Sequence, residues 1–397
     1  MSDLPQERAK WKGAFARLIP ATSAVLLGYS LLNKSWSWAR VPEISPDFAD
    51  MRMVTHTATC MIEGNWSESA PSCDPFGRIF NYPIIWARTF AALRLGELQT
   101  SQIGVVLGIV VIAALVIPLF KIAASTPQVS RLIAAALCVI SPPVALQLER
   151  ANADGVILVL FGVASTFYFR ARWVSVALSS LGTALKLFPL VSVMAFVPRH
   201  RRDWSPAGFF LGVLVVLAAS GDNIIRLIER QDPPGEYRFG SLLLLYHFLP
   251  PALNYPRTWL LFAGVSLTVI PALCLLLVFK TQVRGLSQVL AEEGPGTSLF
   301  LFGGLLYVGT FISGSRYDYS QQFLVLCVLG IALLKDKNPL VSTLLLLAPV
   351  SLWGAFWLDP ESLAGDIATS VCVSIILAVL IQSRVDAIRQ LTTANTR

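Results

Sequence analysis

From Ile103 to Phe120 the chain runs without one charged side chain, and stretches like it recur all the way to residue 383. Each approaches the ~20 residues that an α-helix needs to cross a bilayer. The runs are continuous rather than alternating, which excludes a membrane β-barrel. Only 14% of the 397 residues are charged and 55% are hydrophobic, whereas soluble domains carry about 25% charged residues. Disordered, collagenous and disulfide-framework classes are excluded on the same ground. The expected fold is all-α: a polytopic integral membrane protein forming a single transmembrane domain over 1–397.

Spans are expected near 15–33, 102–120, 132–148, 155–169, 206–220, 259–279, 299–313, 321–334, 340–357 and 367–383. Segment 174–198 is different. Arg170 and Arg172 flank it on one side, and Arg199, Arg201 and Arg202 on the other. Basic clusters stay cytoplasmic, so a single crossing would misplace one of them. Two half-spans, 174–185 and 188–198, resolve the conflict by turning back at Leu185-Lys186-Leu187-Phe188-Pro189. Pro189 supplies the break, because it has no N–H to donate. In all, about ten to twelve membrane helices are expected, with both termini cytoplasmic.

That topology makes the inner segments net positive and the outer ones net negative, as orientation by basic loops requires. The net charge of +7 then reflects those loops and not a nucleic-acid partner. The charged N-terminus lacks a cleavage pattern, so the first run is expected to be a retained span. The inner 280–298 segment carries no motif. Two outer loops are long, 34–101 and 221–258. Within the first, Tyr82 to Leu98 is amphipathic and is expected to lie as a helix in the outer interface.

Polar chemistry gathers at the outer face. Asp47, Asp50, Arg52 and His56 lie close together in the first loop. Either carboxylate suits a general base acting on a hydroxyl, while Asp47 or Ser45 equally suits the cap of a helix running through Thr57. Asp74 and Arg78 either bind substrate or hold their own loop. Tyr82 suits a sugar face or an interfacial belt. Glu149-Arg150-Ala-Asn152-Ala-Asp154 joins two spans with more polar groups than a turn needs; Asn152 and Asp154 also suit a cap. Lys186 is a charge at membrane depth, which is costly and points to function, with an anion such as a lipid phosphate as its natural ligand. Arg316, Tyr317 and Asp318 form a last short turn, suited to phosphate and hydroxyls or to interfacial anchoring. Cys60 and Cys73 share the first loop, where an oxidising exterior permits a disulfide. No Cys or His spacing suggests a metal centre, and no cofactor is expected.

These residues resemble the GT-C superfamily of membrane glycosyltransferases, and most closely its family 87, the polyprenyl-phosphate-mannose-dependent mannosyltransferases. Asp50-Met-Arg-Met-Val54 resembles the family's Asp-Leu-x-x-Tyr. Phe80-Asn-Tyr-Pro83 resembles its Tyr-Pro-Pro element. Asn152-Ala-Asp154 and Lys186-Leu-Phe-Pro189 resemble its Asn-x-Asp and Lys-x-x-Pro elements. The sequence departs from the pattern at Val54 and Ile84.

The resemblance implies transfer of mannose or another hexose from a polyprenyl-phosphate-linked donor to a lipid or glycan acceptor, at the external face of a bacterial inner membrane. It implies Asp50 as the base and Lys186 at the donor phosphate; the residues themselves add Asp47 as an alternate base and Arg150 and Arg316 as further phosphate ligands. Arg52, His56, Asp74, Arg78, Tyr82, Glu149, Asn152, Asp154, Tyr317 and Asp318 are then expected to line the substrate. A transporter or flippase of an anionic or lipid-linked substrate, or a non-catalytic scaffold of envelope polysaccharide assembly, are the competing readings.

Overall fold

A computed structural model describes residues 4–67, 73–78, 80–125, 128–186, 188–197, 203–220, 257–312, 318–334, 336, 338–357 and 363–394. Among them every regular element is helical. Five helical stretches are long and apolar enough to cross a membrane, and a bent pair makes a sixth. This is an all-α, multi-pass membrane protein, as expected. Its outward surface agrees. On α4 (Thr100–Ser125) the exposed side chains Val106, Ile109, Val110, Ile117 and Phe120 recur at helical spacing. An apolar stripe of that size is a lipid face and not a water face.

The first loop leaves α1 (Leu4–Asn33) and builds α2 (Ala49–Ile62) and α3 (Ile85–Ala92) before α4 begins. The predicted interface helix is α3, which buries Trp86 and Ala87 and leaves Arg88 exposed. The cap expected at Asp47 or Ser45 is not formed. α2 opens after Phe48, whose backbone is left-handed (φ 58°), with no side-chain cap. The Phe48 ring instead lies against Gly104 of α4, where any Cβ would come within 2.5 Å of it.

The span expected over 132–148 is present as one apolar stretch, Val129–Arg150, built of two helices, α5 (Val129–Val139) and α6 (Pro142–Arg150). Ser141-Pro142-Pro143 makes the break. Proline is tolerated in a first turn but not in a helix interior. Ala151, left-handed at φ 47°, then turns the chain sharply into α7 (Ala153–Phe167).

The half-span hairpin is present. α8 (Arg172–Leu185) rises to Lys186, whose backbone is extended, and a 3₁₀ limb, Phe188–Phe196, returns. Both ends of the hairpin are fastened at one level. The Tyr168 hydroxyl donates to the Ala195 carbonyl (2.6 Å), and Arg172 Nη2 donates to the Val197 carbonyl (2.9 Å). The return limb is 3₁₀ over nine residues, longer than that geometry usually runs. It packs into a notch at Gly309, where a Cβ would meet Val191 at 2.4 Å.

The remaining elements complete the bundle. They are α9 (Ser205–Ser220), α10 (Arg257–Val278), α11 (Lys280–Val289), α12 (Pro295–Ile312), a 3₁₀ turn Asp318–Gln321, α13 (Gln322–Leu333), α14 (Pro339–Trp357) and α15 (Leu363–Ala394). The expected loop at 280–298 is thus partly wrong. α11 is a helix, bent 95° from α10, with Val283 and Leu286 buried and Arg284 exposed. The second outer loop, 221–258, lies almost wholly outside the described residues.

Helix length positions the site. α7, α8 and α13 have 15, 14 and 12 residues, or about 22, 21 and 18 Å at 1.5 Å per residue. The hydrocarbon core is about 30 Å thick. α1, α4 and α15, with 30, 26 and 32 residues, exceed it. The helices that carry the site are therefore shorter than the hydrocarbon core is thick, while α1, α4 and α15 exceed it.

Candidate functional site

The first-loop segments, the α6–α7 turn, the tip of the hairpin and the 3₁₀ turn before α13 meet at one end of the bundle. Asn152 is where they join. It is fully buried and caps α7, its Oδ1 accepting from the Asp154 N–H at 2.9 Å. The same oxygen accepts from Lys186 Nζ at 3.3 Å. Its Nδ2 donates to Asp50 Oδ2 at 2.6 Å and to the Tyr82 hydroxyl at 2.8 Å. One side chain thus fixes the carboxylate, the lysine and the tyrosine together. Asn152 is itself held, because Gln147 Nε2 donates to its carbonyl at 2.7 Å, and Gln322 Nε2 donates to Gln147 Oε1 at 3.1 Å.

Asp50 sits in the first turn of α2 with its side chain 14% exposed. Its second oxygen accepts from Arg78 Nη1 at 3.0 Å. Arg78 is aimed by Asp74. Its Nε and Nη2 donate to the two Asp74 oxygens at 2.8 and 3.2 Å, and its backbone N–H donates to the same carboxylate at 2.9 Å. Arg78 Nη2 also donates to the Ala49 carbonyl at 2.6 Å. Burial works against the guanidinium charge, but the hydrogen bonds and charges of Asp74 and Asp50 outweigh it and raise its pKa. Asp74 and Arg78 thus hold their own loop, one of the two roles open to them from sequence, and clamp Asp50. Cys60 and Cys73 are joined, with Cα atoms 6.1 Å apart, and tie this clamp to the end of α2.

Lys186 pairs with the fully buried Asp154, whose other oxygen accepts from Ser320 at 2.8 Å. The ammonium lies 5.4 Å from the centre of the Tyr82 ring, within cation–π range. Burial, then the charges of Asp50 and Asp154, hold the Tyr82 hydroxyl well above its ordinary pKa, so it stays protonated. Trp86 Nε1 donates to the Leu185 carbonyl at 3.1 Å, pinning the residue before Lys186 to α3.

Several expected site residues lie elsewhere. The Asp47 carboxylate pairs with Lys34. Arg52 donates to the Asp47 carbonyl at 2.7 Å. His56 faces Glu97 at 3.7 Å. Arg150 pairs with Glu149 at 2.8 Å, and Glu149 also accepts from the Ile44 N–H at 2.9 Å. Arg316 and Tyr317 lie outside the described residues; Asp318 opens the 3₁₀ turn.

Gln147, Gln322 and Ser320 were not anticipated. The two glutamines were discernible as amides inside apolar runs. Among the described residues no group of three or more His, Cys, Asp or Glu is placed to hold a metal ion.

Comparison with known proteins adds one match. The model of glycosyltransferase family 87 fits residues 80–223, over a third of the chain. No curated protein and no solved structure matches. The matched stretch carries Tyr82, Asn152, Asp154 and Lys186; Asp50 precedes it. The resemblance read from the motifs is supported over that stretch, which is similar to glycosyltransferase family 87, and the match supports a membrane glycosyltransferase of that general kind.

Proposed function

We propose that the chain transfers a hexose from a polyprenyl-phosphate-linked donor to a hydroxyl of a lipid or glycan acceptor on the external face of the membrane. One observation carries this reading: Asn152 bonds both Asp50 and Lys186, so a candidate base and a candidate phosphate-binding cation stand one side chain apart. In the reaction the acceptor oxygen bonds to the anomeric carbon as Asp50 takes its proton. The bond from that carbon to the phosphate oxygen breaks, and the electron pair leaves with the polyprenyl phosphate. The leaving phosphate gains one negative charge. Lys186, fixed in advance by Asp154 and Asn152, meets that charge without reorganising.

The short helices around the site, beside neighbours of spanning length, support a donor that arrives within the bilayer. The Cys60–Cys73 bond supports an oxidising and therefore external compartment. The test is transfer by the purified chain from polyprenyl-phosphate mannose, glucose or arabinose to a crude lipid extract. Labelled product in wild type, lost in Lys186→Ala, is expected. Donor movement across liposomes without product would instead establish the transporter.

A further inference from the structure

A cavity of about 300 Å³ opens beside the α2 start, lined among others by Lys34, Trp36, Glu43, Asp47, Phe48 and Glu149. Neither Asp50 nor Lys186 lines it. It is a built space. Glu43 accepts from the Trp36 N–H at 2.9 Å, Glu149 from the Ile44 N–H at 2.9 Å, and Asp47 pairs with Lys34. Glu149 is 5% exposed, so a buried carboxylate forms part of the wall.

The lining selects by charge. Three carboxylates face one ammonium, with Arg150 behind Glu149. With Asp47 paired to Lys34 and Glu149 to Arg150, Glu43 leaves this wall net negative by one charge, which disfavours phosphate, the opposite of what the Lys186 end requires. A metal ion is disfavoured as well, because these carboxylates are not gathered closely enough to hold one. Carboxyl oxygens beside aromatic rings suit a neutral group rich in hydroxyls. The volume sits at the lower end of small-molecule sites, about 300–1,000 Å³, which fits one ring and not a chain.

The cavity also adjoins the reacting centre. Asp47 is three residues before Asp50, and Glu149 three before Asn152, a reach of at most about 10 Å. We propose that this cavity binds a neutral sugar or polyol ring of the acceptor, its hydroxyls donating to Glu43, Asp47 and Glu149, and so presents a neighbouring hydroxyl to Asp50. That the ring belongs to the acceptor rests on the transferase reading; that the cavity binds it does not.

The test is therefore binding and not turnover. Methyl glycosides of mannose, glucose and galactose, and myo-inositol, are titrated by calorimetry into the purified full chain, with inorganic phosphate as competitor. Glu43→Gln and Asp47→Asn keep acceptor oxygens but lose the charge; charge-assisted bonds are roughly twice as strong as neutral ones. At least one probe is expected to saturate, to weaken about tenfold in either variant, to resist phosphate, and to bind Asp50→Asn as it binds wild type. Saturation unchanged in both variants, loss in Asp50→Asn alone, displacement by phosphate, or no saturation by any probe would each overturn the proposal. Absence of sugar transfer would overturn the transferase reading and leave this result standing.

Discussion

Asn152 holds the site together because an amide offers two donors and two acceptor positions, and here all four are used. Asn152→Asp would set a second carboxylate against Asp50, and like charges at that range cannot both ionise. We expect transfer to fall at least about 100-fold, with a lowered melting temperature, read by labelled-product assay and thermal unfolding of the same preparation. His56 gives a contrasting test. Burial first, and Arg52 further down, lower its pKa from 6.5, against the opposing pull of Glu97 and Asp74. The folded chain then binds fewer protons there than the unfolded one. The resulting stability is present above pH 6.5 and is lost as pH falls toward the folded pKa. Between about pH 7.5 and about pH 5, wild type is expected to lose more thermal stability than His56→Gln; equal losses would remove His56 from the account. The Asn-x-Asp and Lys-x-x-Pro residues were legible in the sequence because so many polar groups in so short a turn, and a charge in an apolar run, have few bland explanations. Arg52 and His56 were misplaced because helical spacing says which residues share a face, not what that face meets.

Among the elements, the hairpin was legible because two basic flanks forbid one crossing. Its 3₁₀ return limb was not, since it depends on the Gly309 notch in α12, far away in sequence. α11 was missed for a similar reason: it is amphipathic, and its apolar positions Val283 and Leu286 matter only once other helices lie against them. The α3–hairpin contact yields a prediction. Trp86→Phe keeps the ring and removes the N–H that holds Leu185. The Michaelis constant for donor is expected to rise several-fold while kcat holds, since a single lost hydrogen bond is worth about 1 kcal/mol. A fall in kcat alone would place Trp86 on the acceptor side. The α12–α13 pair packs backbone to backbone. A Cβ on Gly330 would meet Phe300 N at 2.4 Å and the Gly296 carbonyl at 2.7 Å. Gly330→Ala is expected to cost about 1–3 kcal/mol through overpacking, seen as a lower unfolding midpoint in detergent; an unchanged midpoint would mean that these helices slide freely.

At the scale of the molecule, composition alone was enough to exclude every soluble class, because a chain with so few charges cannot cover its surface for water. The shortness of the site helices was not legible. Hydropathy registers α7 and α13 as apolar runs without showing that their helices cover only 15 and 12 residues. Lys186 and Asp154 face each other as an ion pair, the form in which charge is tolerated at membrane depth. The measurement that tests this account most directly is the steady-state kinetics of Asp50→Asn with a polyprenyl-phosphate-linked sugar. The variant keeps the oxygen that meets Arg78 or Asn152 and loses the proton acceptor. The account predicts a kcat lower by about 10²–10⁴-fold with the Michaelis constant for donor unchanged. Transfer at the wild-type rate in the folded variant would contradict it.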